Sequence, residues 1–231
     1  MMNLVKRSYQ KELLDQDNIP FKDIKDNMQE LNFINTWLGG HSITISGLKK
    51  LLADKKRIKI CEIGCGGGDN LEAIQKWCSA KKIELSCIGI DIKKECIDFA
   101  CTKEILSGNT EWICSNYADI VFKEKPDIIF SSLFCHHFTN NELNEQLIWM
   151  QRNAGIGFFI NDLQRHWLAY YSIKILTRIF SSSYLVKNDA PLSVARGFKE
   201  KDWKEIFKSA NLNPTAIKWK WAFRYLIIYE N

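Results

Sequence analysis

The sequence predicts an α/β protein built on a seven-stranded, mostly parallel sheet that ends in an antiparallel hairpin. Three observations carry this expectation. Short β-branched runs alternate with helical periodicity from residue 57 to residue 161, and the first run passes straight into a cluster of glycines. The terminal stretch IKWKWAFRYLIIYE alternates like two strands folded back on each other. At 231 residues, 46% hydrophobic and 26% charged, the chain is long enough for one such domain and too short for two large ones.

In residues 57–72, RIKICEIGCGGGDNLE, the residues Ile58, Ile60, Cys61 and Ile63 make an apolar run bounded by charge, as in a buried parallel strand. Gly64, Gly66, Gly67 and Gly68 then leave the backbone bare, and Asp69 or Asn70 is placed to cap the next helix. A dinucleotide site needs a small residue where Asp69 stands, so that helix and strand pack closely around a pyrophosphate. Here that position is acidic. Glu62 adds a second acid at the strand end, which repels phosphate and suits an ammonium group. The expected ligand is S-adenosylmethionine, a cationic nucleoside carrying an amino acid, and the stretch resembles motif I of the class I methyltransferases.

Upstream, residues 3–38 read as helical and polar, interrupted at Pro20, with Phe21, Ile24, Met28, Leu31, Ile34, Trp37 and Leu38 on one apolar face. Gly39 and Gly40 end that helix, and His41 precedes another over residues 44–53, in a turn that can face the ligand. After the glycines come a helix at 70–81 and a strand at 83–91 ending in Asp91. Ligands of doubly wound sheets lie beyond the carboxyl ends of the strands, so Asp91 is the expected partner of the ribose hydroxyls. A helix at 94–106, a strand at 110–114, a strand at 126–134, a helix at 141–152 and a strand at 156–161 follow. Trp167, Tyr170, Tyr171, Ile175 and Ile179 then fall on an amphipathic helix that a five-stranded core does not require. Residues 187–198, with Asp189, Arg196 and Phe198, read as a loop before a helix at 201–210.

Motif I, Asp91 and the segment DIIFSSLFCHHF stand in the order and spacing of the class I methyltransferase family over residues 57–138. That resemblance implies a Rossmann-like single domain with a helical cap at 1–45, a cofactor-binding core at 46–161, a substrate-covering insertion at 162–198 and a C-terminal helix and hairpin at 199–231. It assigns the amino-acid end of S-adenosylmethionine to Glu62, Gly64, Cys65, Gly66, Ser131 and Ser132. It assigns the ribose to Asp91 and the adenine to Ile92, Asn116 and Tyr117, Asn116 standing where many relatives carry aspartate. The 162–198 stretch resembles the ubiquinone-biosynthesis type of O-methyltransferase, and the whole chain is similar to bacterial natural-product methyltransferases. The acceptor implied is a small aromatic or lipophilic molecule methylated on oxygen, with nitrogen or carbon methylation and cofactor binding without catalysis as alternatives. His137, and next to it His136, are the candidate general bases, since imidazole titrates near neutrality; their other reading is a hydrogen-bonded turn.

Composition narrows the remaining classes. The net charge of +5 is spread along the chain, so nucleic-acid binding is not expected. The longest apolar stretch, 167–180, is broken by Lys174 and Arg178 and is too short for stable membrane insertion. Eight cysteines without a CxxC pair read as reduced thiols of a cytoplasmic monomer or homodimer, with no structural zinc, and the expected reaction requires no metal.

Overall fold

The computed structural model describes residues 3–16 and 18–231; residues 1, 2 and 17 of the expected N-terminal cap lie outside them. The sheet strands are β1 (Arg57–Ile63), β2 (Glu84–Asp91), β3 (Thr110–Cys114), β4 (Ile128–Ser132), β5 (Gly157–Leu163), β6 (Ala216–Lys220) and β7 (Arg224–Glu230). They lie in the order β3-β2-β1-β4-β5-β7-β6, with β7 antiparallel to both β5 and β6. Strand order reverses between β1 and β4, which opens a crevice at their carboxyl ends.

The helices are α1 (Phe21–Trp37), α2 (Gly40–Leu52), α3 (Asp69–Ala80), α4 (Lys94–Ala100), α5 (Asn140–Asn153), α6 (Trp167–Phe180), α7 (Tyr184–Arg196) and α8 (Glu200–Ser209). Strand periodicity divides the core into two layers. Ile58, Ile60, Phe130 and Phe159 pack under Leu48 and Leu51 of α2 and Leu71 and Ile74 of α3. Cys61, Ile63, Ile129 and Phe158 face the other way, against Leu143 and Leu147 of α5 and Trp203 and Phe207 of α8. Gly47 lets α2 sit directly on the sheet, because a Cβ there would fall 2.5 Å from the Phe159 ring.

Two expectations are corrected. Residues 3–16 and 18–20 are not helical: apart from a 3-10 turn at Leu13–Asp15 they run irregularly. Without an apolar repeat, this segment satisfies its backbone on α7 instead, Ser8 N–H donating to the Ala195 carbonyl and Leu13 and Leu14 N–H to the Asp189 carboxylate. Residues 187–198 are not a loop, since all but the last two continue α7 through Pro191; burial of Leu185, Val186, Leu192 and Val194 offsets the hydrogen bond that the proline removes. The rings and branched side chains of α6 lie largely outside the core. Only Ala169 and Thr177 of that helix are buried, while Trp167, Ile175 and Ile179 are 57–66% exposed.

All eight cysteines are unpaired. No helix among the described residues is long and apolar enough to cross a membrane.

Candidate active site

Glu62 is the next residue after Ile58 and Ile60 on the α2–α3 face of β1, and it lies at the rim of the crevice fully buried. Its Oε1 accepts from Asn70 Nδ2 at 2.9 Å, while Oε2 has no partner. Burial pushes the Glu62 carboxyl well up, and the negative charges of Asp69 and Asp91 add to this against the Asn70 hydrogen bond. Asn70 is held in turn by His41 Nδ1 at 3.0 Å and the Thr44 hydroxyl at 3.2 Å, so the turn after α1 does reach the site. Burial lowers the His41 imidazole, against the hydrogen bond to Asn70 and the charge of Asp69.

The glycine turn joins this acid to the second one. Gly64, Gly66 and Gly68 all have positive φ, and a Cβ on Gly66 would meet nothing within 4 Å. Gly66 N–H donates to Asp91 Oδ2 at 2.8 Å and Lys93 N–H to Oδ1 at 2.9 Å. Burial raises the Asp91 carboxyl, opposed by these two donors. Ile92, beside it, is 71% exposed, and Cys65 is buried beneath the turn. Gly68, in the left-handed conformation, is the N-cap of α3, and neither Asp69 nor Asn70 caps it as expected. Asp69 pairs with Lys103 at 3.1 Å, and the Asn70 side chain is spent on Glu62.

Beyond β1 the same face continues as a polar row of which only Ser132 was expected. Ser132 and Asn161 follow Phe130 and Phe159 in register at the strand tips, and Arg224, paired with Leu163, stands two residues before Leu226 on β7. Asn161 Nδ2 donates to the Gly40 carbonyl and the Thr44 hydroxyl, both at 3.1 Å, and to Ser132 Oγ at 3.3 Å. Arg224 is 2% exposed and its Nε and Nη1 are unpartnered, as are Asn35 Oδ1 and Asn161 Oδ1. Burial lowers the guanidinium to about 10, against the pull of Asp162. Buried polar atoms without partners are rare and costly, and here they gather around Gly40 and Thr44 beside Glu62.

Two expected ligand residues stand elsewhere. Ser131 alternates to the opposite face of β4, where its hydroxyl meets Cys135 Sγ at 3.3 Å in a sealed environment. Tyr117 is packed edge-on against Phe134, Phe138 and Trp149, so its ring is not free to stack on a base. Burial raises its hydroxyl to about 12 despite a hydrogen bond with Gln146. Asn116 is exposed, and its Oδ1 already accepts from Ala118 N–H at 3.1 Å. Phe134, just past the left-handed Leu133, lies against Gly64, where a Cβ would come within 2.2 Å of its ring.

His136 and His137 occupy a 3-10 turn, Cys135–His137, covered by the N-terminal segment and α7. His136 Nδ1 is 2.8 Å from Asp162 Oδ1 and its Nε2 is 3.5 Å from Glu12 Oε1. Burial alone would depress this imidazolium, but Asp162 and Glu12 outweigh it and hold the pKa at about 9. His136 is therefore protonated at neutral pH, and the expectation that it serves as a base is corrected. His137 is less buried, with Nδ1 3.3 Å from Asp15 Oδ1. Arg196 ties the assembly together by donating to the carbonyls of Gln10, His136 and His137.

Comparison with known proteins agrees with this geometry. Residues 60–153 match a family described as a methyltransferase domain. No curated protein matches the chain. The plantazolicin methyltransferase BpumL in complex with SAH is similar in structure, with a TM-score of 0.60 and 21% identity over 81% of this chain and 68% of that one. A SAM-dependent methyltransferase from Aquifex aeolicus gives 0.63 and 16% over 92% and 99% of the two chains. The magnesium protoporphyrin IX methyltransferase ChlM from Synechocystis PCC 6803 gives 0.57 and 12% over 94% and 99%.

Proposed function

We propose that the chain is a class I S-adenosylmethionine-dependent methyltransferase and that the methyl group goes to the oxygen of a small aromatic or lipophilic acceptor. The observation that carries the cofactor side is the buried, unpartnered oxygen of Glu62 next to the bare backbone of Gly66 and the ribose-type acid Asp91. An unpaired carboxylate oxygen there suits an ammonium, and the unpartnered guanidinium of Arg224 suits a carboxylate, so the two ends of an amino acid each find a counter-charge. Asp91 offers its remaining lone pairs to the ribose hydroxyls, and the exposed Ile92 side chain flanks the adenine. The backbone of Gly64, Cys65 and Gly66 gives close approach, with Ser132 in the same polar row; Asn116 reaches the base through its amide.

Bound S-adenosylmethionine supplies an electrophilic methyl on a sulfonium. The chain's own work is then alignment and exclusion of water. The cap at 1–45 and the insertion at 162–198 enclose the acceptor over the histidine turn, and the uncovered apolar face of α6 supports a lipophilic acceptor. The acceptor proton leaves at this turn, with His137 rather than the already protonated His136 in reach of it.

Calorimetry with S-adenosylhomocysteine and with NAD tests the cofactor half: saturable binding of the first alone is expected, and preference for NAD overturns it. Methyl-labelled S-adenosylmethionine, offered phenolic, amine and activated-carbon acceptors of one ring system, tests the acceptor half. Label on oxygen is expected, and label on nitrogen or carbon alone rejects it.

A further inference from the structure

Glu12, His136 and His137 come from two distant parts of the chain, and one ligand atom from each lies within 4.8 Å of those of the other two. We propose that these three side chains form a binding site for one divalent transition-metal ion of the zinc or iron(II) type, with coordination positions left for an acceptor oxygen or water.

The distances fit such an ion. His136 Nε2 stands 3.5 Å from Glu12 Oε1 and His137 Nε2 stands 3.9 Å from Glu12 Oε2. Ligands at roughly 2.0–2.2 Å from a tetrahedral metal are about 3.3–3.6 Å apart, so a small inward movement of His137 completes the set. Two imidazoles and one carboxylate on one side of an ion make the donor set of open, catalytic sites, and it selects zinc or iron(II) over magnesium or calcium.

The surroundings of the three ligands are the stronger argument. Metal-bound imidazoles almost always hand their other nitrogen to a carboxylate or carbonyl, and ligating carboxylates are themselves hydrogen-bonded. Both histidines meet this condition: His136 Nδ1 faces Asp162 at 2.8 Å and His137 Nδ1 faces Asp15 at 3.3 Å, leaving each Nε2 turned toward Glu12. Glu12 meets it too, since its Oε1 accepts from the Ser193 hydroxyl at 2.7 Å. Each of the three ligands therefore has its own orienting partner, each from a different element. An ordinary hydrogen-bonded turn has no need of two carboxylates beneath two imidazoles and a third carboxylate between them.

A divalent ion there adds positive charge next to three carboxylates, Glu12, Asp15 and Asp162, while Arg7 and Arg196 bind only carbonyl oxygens of this turn and its flank. Phe134 connects the site to the crevice, with its ring 6.4 Å from that of His137 and against Gly64. An ion held there by Glu12, His136 and His137 would make a coordinated hydroxyl more acidic, and His137 would then serve as ligand rather than base. The site itself does not depend on which acceptor is methylated.

The test uses the full chain, freed of metal by a chelator, titrated with Co²⁺ and Zn²⁺ alone. Expected are saturation at one ion per chain and visible absorption bands of four- or five-coordinate cobalt lost on adding zinc. Glu12→Gln and His137→Asn should abolish the bands, and Asp162→Asn should weaken binding by about 10–100-fold. Far-UV circular dichroism and S-adenosylhomocysteine binding check that each variant is folded. Absence of saturable binding by the wild type, or unchanged affinity in folded Glu12→Gln, overturns the proposal.

Discussion

Asn70 Nδ2 donates to Glu62 Oε1 at 2.9 Å, and this amide is the one polar group among the described residues that a fully buried carboxyl has to itself. The arrangement is costly without a cation. Glu62 is lifted above the usual carboxylate range by burial, so its favourable contribution to folding is complete below about pH 4.5 and is lost as pH rises toward the folded value. Glu62→Gln should therefore raise the urea midpoint of the ligand-free protein at pH 7–8, by the equivalent of about 1–3 kcal/mol, while S-adenosylhomocysteine binding is lost. The stability difference from wild type should shrink toward pH 4.5. A variant less stable than wild type at pH 8 would show that the carboxylate is already paired.

Asp91 holds Gly66 and Lys93 by their N–H groups, so its removal loosens the turn as well as deleting acceptors. Asp91→Ala should weaken S-adenosylhomocysteine binding by about 10–100-fold, as loss of charged hydrogen bonds implies. Asp91→Asn, which keeps an acceptor, should lose less. Unchanged affinity in Asp91→Ala, measured by calorimetry, removes it from the ribose.

His137, whose ring lies 6.4 Å from that of Phe134, is a base in the proposed reaction and a ligand in the proposed metal site. His137→Ala should lower turnover by about 10²–10⁴-fold with cofactor affinity nearly constant. Equal losses in both quantities would place it in the cofactor site instead.

Phe134 must leave Gly64 before a ligand lies on that backbone, because the ring and a ligand atom compete for the same few ångströms. Phe134→Ala should tighten S-adenosylhomocysteine binding several-fold by removing that step, at the expense of a lower melting temperature from the lost contacts with Tyr117 and Phe138. Weaker binding would identify the ring as a contact of the bound state.

The parts of this site legible in the sequence are those encoded locally. Glu62, the glycines and Asp91 lie at the ends of adjacent strands whose apolar runs fix both register and direction. Arg224 and Asn161 carry only faint signals, a lone arginine opening RYLIIY and an amide ending FFIN, and their role depends on β7 pairing with the distant β5. Glu12 and Asp15 carry none: they sit in a polar stretch without periodicity, and only its packing on α7 brings them to the histidines. Ser131 and Tyr117 were misread because one residue of strand parity, or one ring rotation into an aromatic cluster, decides which side of the sheet a side chain serves.

Arg196 ends α7 yet spends its guanidinium on the carbonyls of Gln10, His136 and His137. Because one rigid, planar group spans all three, it clamps the C-terminal end of α7, the N-terminal segment and the histidine turn to one another.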